Sequence, residues 1–531
     1  MIETTTIPAG EKLSEDFLVR LNGQQVQLYQ VRVSEVPLYR TFTGEERPIE
    51  TTETASLLSF AADEPVNIEL IPKKKFAKVT VRPLSDKIYP VISEGVITLT
   101  VTRPGQYVVE LDDPHNALHI FVDPIRDFGV TPDAENTLYF GAGTHHIGQV
   151  VLTDGMTVYI DRDAVVYGSF LAYGSENIRI LGSGILCGSW YQRRDDDILQ
   201  VYDVMREADD CWESIGQRKA LAERIGPIRS SLTDRKSYVP GRGSVIYKDR
   251  EQFGKVIDLM HPIRAGLHFY HCRNVEVNGI ILRDVCGLTN TIIACENVVY
   301  DNFKTIGMWR TNADGIDFYN SRNCTVKNCF VRSYDDSICM KGKPGYDTLN
   351  TENILVENCV VWNDLGRSLE FGVNTVAPEM RNITFRDCDI IHHSSDVMDL
   401  GNEDRADIHD ILFENIRVEY SAYDTELTER TQKLIPFPLS CKLIRAFTGC
   451  GLWSCDNIPG KNHHITFRNI EVLTDGTVPF PEILLYGKDP EHTCTDFVIE
   501  NLTFDGKRMM SKEDIHLHFG AYVDASAVTL R

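Results

Sequence analysis

The chain has no apolar run approaching the ~20 residues that span a bilayer, no cysteine before Cys187, and no CxxC pair among its fourteen cysteines. These gaps argue against a membrane span and against zinc-type or disulfide frameworks, leaving the cysteines as core thiols. Basic residues are also in short supply: 54 Lys and Arg face 77 Asp and Glu, a net charge of −23. Phosphate binding needs a clustered basic surface, so no nucleic-acid or membrane partner is expected, and a polyanionic substrate would be repelled at long range. Residues Met1 to Phe17 lack the basic-then-apolar pattern of a secretory signal, which gives a cytoplasmic expectation. Helical spacing is confined to one stretch, Asp195 to Ile225.

What is present is strand. At 531 residues the chain exceeds one ordinary core and should hold two units. Residues 1–124 carry short alternating stretches, such as Gln25 to Val33, Ala77 to Arg82, Val96 to Val101 and Gln106 to Leu111, separated by Pro and Gly turns. They read as a β-sandwich. Residues 125–531 read as a second unit built from an imperfect repeat.

That repeat starts at Asn274, Asn297, Asn323, Asn353, Asn382, Asp410, His464 and Asp496, with spacings of 23, 26, 30, 29, 28, 54 and 32 residues. The 54 is two turns or one turn with an insertion, and an earlier copy begins at Asn177. The sixth position is Asn302, Asn328, Asn358, Asp387, Asn415, Asn469 and Asn501, which reads as a ladder of stacked carboxamides. The seventh position, Ile280, Phe303, Cys329, Cys359, Cys388, Ile416, Ile470 and Leu502, reads as an inward stack. Absent 3.6-residue periodicity and β-branched content predict a right-handed parallel β-helix. Insertions are expected at about 191–260, partly helical, and at 420–461. The sandwich is expected to cap the N-terminal end.

Further alignment puts Ile316, Ile338, Leu369 and Met398 in one inward column and Phe318, Met340, Phe371 and Leu400 in another. Two positions before the first stand Asp314, Asp336, Arg367 and Asp396. Asp314 and Asp336, 22 residues apart in sequence, should therefore be neighbours one strand spacing of ~4.8 Å apart, with Asp335 beside them. One acid and two bases could flank a glycosidic bond; inverting cleavage needs ~6.5–9.5 Å between acid and base. Strict alternation would point Asp314 inward, so a turn at Gly315 must reset the direction. The column Asp317, Cys339, Glu370 and Asp399 does face outward and is an alternative home for the acids or a lining for substrate.

The run from Asn312-Ala-Asp314-Gly through Asp335-Asp336-Ser-Ile-Cys-Met-Lys341 resembles glycoside hydrolase family 28, the polygalacturonase-like β-helix hydrolases. The resemblance implies inversion, with Asp335 as general acid and Asp314 and Asp336 as bases, and no metal or organic cofactor. The sandwich-then-helix order also resembles family 49, the dextranase and isopullulanase family. Two departures stand out. Gly366-Arg367-Ser368 replaces a Gly-His-Gly motif, and Asp399-Leu-Gly-Asn-Glu-Asp-Arg405 replaces the Arg-x-Lys clamp for galacturonate.

Asp399, Glu403 and Asp404 in place of that clamp would repel a carboxylated sugar, so a neutral oligosaccharide is the expected substrate. Arg367 either orients Asp336, contacts a substrate hydroxyl, or pairs with Asp396 or Glu370. Trp309 and Arg310 offer a sugar-stacking face and a hydroxyl ligand, with core packing of Trp309 as the alternative. Tyr334, Lys341, Glu370, Asn374, Asn402, Glu403 and Arg405 complete the candidate binding set. His392-His393 and His463-His464 are expected at surface or corner positions rather than as metal ligands. The competing chemistries are a polygalacturonase or a calcium-assisted lyase acting on uronates; a non-catalytic carbohydrate-binding solenoid is the third possibility. A homo-oligomer is possible.

Overall fold

The computed structural model describes residues 1–35, 52–190, 237–239, 243–245, 266–420 and 441–531, apart from 286, 311, 452, 453, 475 and 477. The described chain is all β apart from short 3-10 turns. The helical reading of Asp195 to Ile225 lies outside the described residues. No helix among the described residues is long and apolar enough to cross a membrane.

The first 123 residues form two sheets. One contains Ile2–Thr4, Tyr29–Ser34, Thr52–Ala62, Val79–Arg82, Gly105–Leu111 and Asp113–Asp123; the other contains Phe17–Leu21, Gln24–Val26, Val66–Pro72, Val91–Ser93 and Val96–Val101. Val19, Phe60, Ile68, Leu99, Val109 and Ile120 fill the space between them. Thr52–Ala62 is buried continuously from Ala55 because both of its faces are covered. Leu58 and Phe60 face that core, while Ala55 and Leu57 face the second unit.

From Thr137 the chain coils into stacked parallel rungs. One outer sheet repeats Arg273–Asn278, Glu296–Asp301, Arg322–Lys327, Thr351–Glu357, Glu379–Arg386 and their successors. The expected repeat starts fall within these strands. Two asparagine ladders border them. At the strand starts, Asn274 Nδ2 donates to Asn177 at 3.0 Å and Asn382 Nδ2 to Asn353 at 3.2 Å. At the strand ends, Asn358 donates to Asn328 at 2.7 Å, and Asn501 to Asn469 at 2.9 Å. Asn302, Asn328, Asn358, Asn415, Asn469 and Asn501 all have φ near +50° to +60°, a left-handed corner that Asn tolerates while its carboxamide bonds the next rung.

The 54-residue spacing is one turn with an insertion, because Ile411 pairs directly with Ile465. The insertion is shorter than expected: Lys442–Thr448 is a rung strand, with Ile444 beside Met398 and Ala446 beside Leu400. The expected boundary of 420–461 thus absorbed a strand of the site.

The first unit does not cap the coil. Tyr29, Val31, Leu57, Val108 and Phe121 pack against Val165, Ile281, Ile306, Phe330, Trp362 and Ile391, which belong to successive rungs of a third sheet. The first unit therefore lies along the flank. Polar contacts reinforce the junction: Lys304 Nζ forms an ion pair with Asp123 Oδ1 at 2.7 Å, and His392 Nε2 is hydrogen-bonded to Glu110 Oε1 at 2.5 Å. His392 ends its strand and His393 stands at the corner that follows, as one of the two expected placements has it, but both are buried rather than at the surface. Both belong to inter-element contacts, His393 lying 3.0 Å from the Cys441 sulfur.

Candidate active site

The predicted inward columns hold in register: Ile316 pairs with Ile338, Leu369 and then Met398, and Phe318 with Met340, Phe371 and Leu400. All eight are fully buried in the coil's core. The corner preceding each strand resets direction as the carboxylates require. Ala313 and Ile316 are both inward, as are Tyr334 and Ile338, so the residues between them turn outward. Tyr334 is therefore a core plug at the corner rather than a sugar contact.

Rung contact at this corner leaves no space for side chains at two positions. A Cβ on Gly315 would lie 2.1 Å from Ser337 O, and one on Gly366 2.4 Å from Asp336 N. Gly315 N donates to Asp336 O at 2.7 Å, which places Asp314 and Asp336 on neighbouring rungs. Asn363 fixes the Asp-Asp bend, donating to Asp335 O at 2.7 Å and Arg367 O at 3.1 Å.

Lys341 sits at the centre. Its Nζ is 3.0 Å from Asp314 Oδ2, 3.2 Å from Asp317 Oδ1 and 3.3 Å from Asp336 Oδ2. Arg367 reaches Asp336 through its backbone N at 3.1 Å and NH1 at 3.4 Å, and its guanidinium also lies 3.6 Å from Glu370 and 3.7 Å from Asp399. Of the alternatives for Arg367, orienting Asp336 and pairing with Glu370 coexist.

These surroundings split the carboxylates. Burial, then the charge of Asp336, pushes Asp335 up to about 7. Asp335 is half-buried, and Asn312 Nδ2 donates to its Oδ2 at 3.4 Å. Burial acts to raise Asp336 too, but Lys341 and Arg367 overcome it and hold that carboxylate well below its usual range. Asp314 is pushed up by burial and by Asp317, Asp335 and Asp336 against the pull of Lys341. Asp317 and Glu370 are raised mainly by burial as well. Asp336 is thus pulled toward the ionised form, while its neighbours Asp314, Asp317, Asp335 and Glu370 are pushed toward the protonated one.

The other candidate residues divide. Trp309 donates from Nε1 to Asp284 Oδ1 at 3.0 Å, and the Arg310 guanidinium lies 4.8 Å from its ring centroid and 3.7 Å from Asp284. Both side chains are largely buried; this is a packed cluster, the alternative foreseen for Trp309. Glu370 and Asp399 are wholly buried, so they underlie the site instead of lining it. Asn402 is buried and donates to Ala406 O, Lys461 O and Asn462 Oδ1 while accepting from Thr375; it ties rungs together. Asn374 is the penultimate residue of the strand Leu369–Thr375, and Glu403 and Arg405 follow the strand Met398–Asn402. Asn374 Nδ2 donates to the Cys455 sulfur at 3.2 Å, Glu403 is covered by Gly451, and Arg405 bridges Asp456 at 2.5 Å and Asp347 at 3.8 Å. Asp404 accepts from the Thr375, Cys455 and Asp456 amides.

Arg445 was missed, because its strand was read as part of an insertion. It stands beside Asp399 in the outward column, with Nε 2.9 Å from Asp399 Oδ1 and 3.0 Å from Asp396 Oδ2. The alternation Leu443-Ile-Arg-Ala-Phe447 was the available signal.

Asp336, Cys339 and Glu370 bring ligand atoms within 4.8 Å of one another. The set does not suit Ca²⁺, which takes about six to eight oxygen ligands: one of the three atoms is a thiol sulfur, and Lys341 and Arg367 already neutralise the carboxylates.

Residues 241–429 match the family model of glycosyl hydrolases family 28. The chain is 22% identical over 374 residues to an exo-poly-alpha-D-galacturonosidase of Dickeya chrysanthemi, covering 67% of this chain and 54% of that protein. It is 26% identical over 180 residues to the exopolygalacturonase clone GBGE184 of Arabidopsis thaliana, covering 33% of this chain and 40% of that protein. It spans about half the length of these relatives or less. Dex49A from Penicillium minioluteum is similar in fold, with a TM-score of 0.60 at 13% identity over 100% of this chain and 96% of that one. These similarities support the family 28 resemblance and a glycoside hydrolase.

Proposed function

Taking the family 28 match over residues 241–429 as premise, we propose that the protein is an inverting glycoside hydrolase with Asp335 as general acid and Asp336 as general base. The observation that carries this reading is the divergence of two adjacent carboxyls, one raised to about 7 by burial and its neighbour, the other held ionised by Lys341 and Arg367. Environments that push paired groups apart assign acid and base roles. In the proposed step Asp336 takes a proton from water, the water oxygen bonds to the anomeric carbon, and the glycosidic C–O bond breaks. The leaving oxygen takes the proton of Asp335. Asp314, anchored by Lys341, orients the water.

The substrate proposed is a neutral oligosaccharide. Residues 399–404, where the family resemblance places a cationic uronate clamp, contain no Lys or Arg, and Arg405 is already paired with Asp456 and Asp347, which supports that reading. Chain-end attack fits the loop after Gly342. Asn320 accepts from Lys343 N at 2.8 Å and donates to Leu349 O at 2.8 Å, which holds Tyr346 over Tyr270, Ile293 and Tyr319 on the earlier rungs. Polygalacturonan cleavage is the second reading, favoured by the Arg367 and Arg445 side chains, 25% and 18% exposed, and by the names of the relatives.

The test is reducing-sugar release from neutral and uronate oligosaccharides, with the anomer read by NMR. Release of an inverted neutral sugar supports the proposal. Turnover of uronates alone selects the second reading, and a retained anomer removes the roles given to Asp335 and Asp336.

A further inference from the structure

Glu370 lies beneath the site in the outward column between Cys339 and Asp399, wholly buried. Among the described residues neither of its oxygens receives a hydrogen bond from an N–H or hydroxyl donor. The nearest cationic nitrogen, Arg367 NH1, is 3.6 Å away and is also 3.4 Å from Asp336. A buried ionised carboxylate without donors is costly, whereas a protonated one carries its own donor and needs only an acceptor. Asp336 is the acceptor at hand: one of its carboxylate oxygens lies within 4.8 Å of a Glu370 oxygen. The groups facing Glu370 are thus Asp336 and Lys341, Arg367, the Cys339 thiol and the Asp399 carboxylate on the neighbouring rungs.

Resting on the acid/base reading above, we propose that Glu370 is a positioning residue which keeps a proton throughout turnover and donates it to Asp336. Asp336 is then fixed in orientation by Lys341, Arg367 and Glu370 together. Glu370 touches no substrate. Its effect passes through the orientation and weak basicity of Asp336, and the proton it holds is not the one that moves.

Two variants separate this from ordinary packing. Glu370→Gln keeps the volume and an N–H donor toward Asp336, whereas Glu370→Ala removes both. Glu370→Ala is expected to lower kcat about tenfold or more, with the acid limb of the pH profile moved upward because Asp336 has lost a donor. Glu370→Gln is expected to recover most of that loss and to restore the limb. An inactive Gln variant with intact folding would show that Glu370 works ionised and overturn the proposal, as would an unmoved acid limb in the Ala variant.

A second measurement does not depend on activity. A protonated buried carboxyl has its pKa above its unfolded value, so its contribution to stability is lost as pH rises. Wild type should therefore lose stability more steeply toward alkaline pH than Glu370→Gln; parallel curves would also overturn the proposal. A protein with no glycosidase activity but diverging stability curves would separate failure of the hydrolase reading from failure of the protonated Glu370.

Discussion

The strands from Ile316 to Asn402 carry two columns of equal burial and opposite chemistry. Ile316, Ile338, Leu369 and Met398 face the coil's interior, and Asp317, Cys339, Glu370 and Asp399 face the other way, yet all eight are 0% exposed. On the first face burial is itself the stabilising term, each aliphatic side chain contributing roughly 1.5–3 kcal/mol. On the second, burial is a cost offset by Lys341, Arg367 and Arg445, and the part left over appears as the raised carboxyl pKa of Asp317 and Glu370. Exposure alone would not have distinguished a core from an active-site floor. The donor inventory does.

The largest expected effect breaks the outward face. Asp335→Asn should lower kcat by roughly 10²–10⁴-fold, the range for loss of a general acid. It should also stabilise the protein. Asp335 titrates near 3.8 when unfolded and near 7 when folded, so its stabilising contribution is complete below the lower value and lost as pH rises through the higher one. Removing the carboxyl should raise stability at pH 8 by on the order of 1–3 kcal/mol, read by denaturant titration. A variant both inactive and less stable would contradict the split described for this site.

The inward face should break differently. Leu369→Ala should cost about 2–5 kcal/mol and leave the shape of the pH–rate profile unchanged, since it touches no titrating group. In wild type, kcat should fall as pH rises through about 7, because Asp335 must be protonated to act; a plateau extending to pH 9 would assign the acid elsewhere. The smallest effect belongs to the ladders. Asn469→Ala removes bonds to Asn415 and Asn501 and should cost about 1 kcal/mol with no kinetic consequence.

The repeat was legible because each rung obeys local rules: a left-handed Asn corner, period-two alternation, and an inward residue after the ladder. Asp314, Asp335, Asp336 and Lys341 could be brought together from those rules. What sequence could not give was depth. Tyr334, Glu370, Asp399 and Asn402 were taken for subsite residues because their strands were known to face the site, but not what lies over them. Arg445 was lost because a segment bordering an insertion was assigned to it. The neutral-substrate argument weakened for a related reason: Asp399 is paired with Arg445 and Asp404 is bonded to backbone amides, so neither presents a free charge to a ligand.

The flanking position of the first unit also bears on how the coil comes apart. In a stack whose rungs touch only their neighbours, opening can begin at any turn and spread. Here a single rigid slab touches the rungs from Val165 to Ile391, so none of them can fray without releasing its share of that surface. Amide hydrogens of the turns carrying Asp314 to Glu370 should consequently exchange as one slow block with those of Thr52–Ala62, while the rungs after Lys461, which among the described residues do not join that packed cluster, should open sooner.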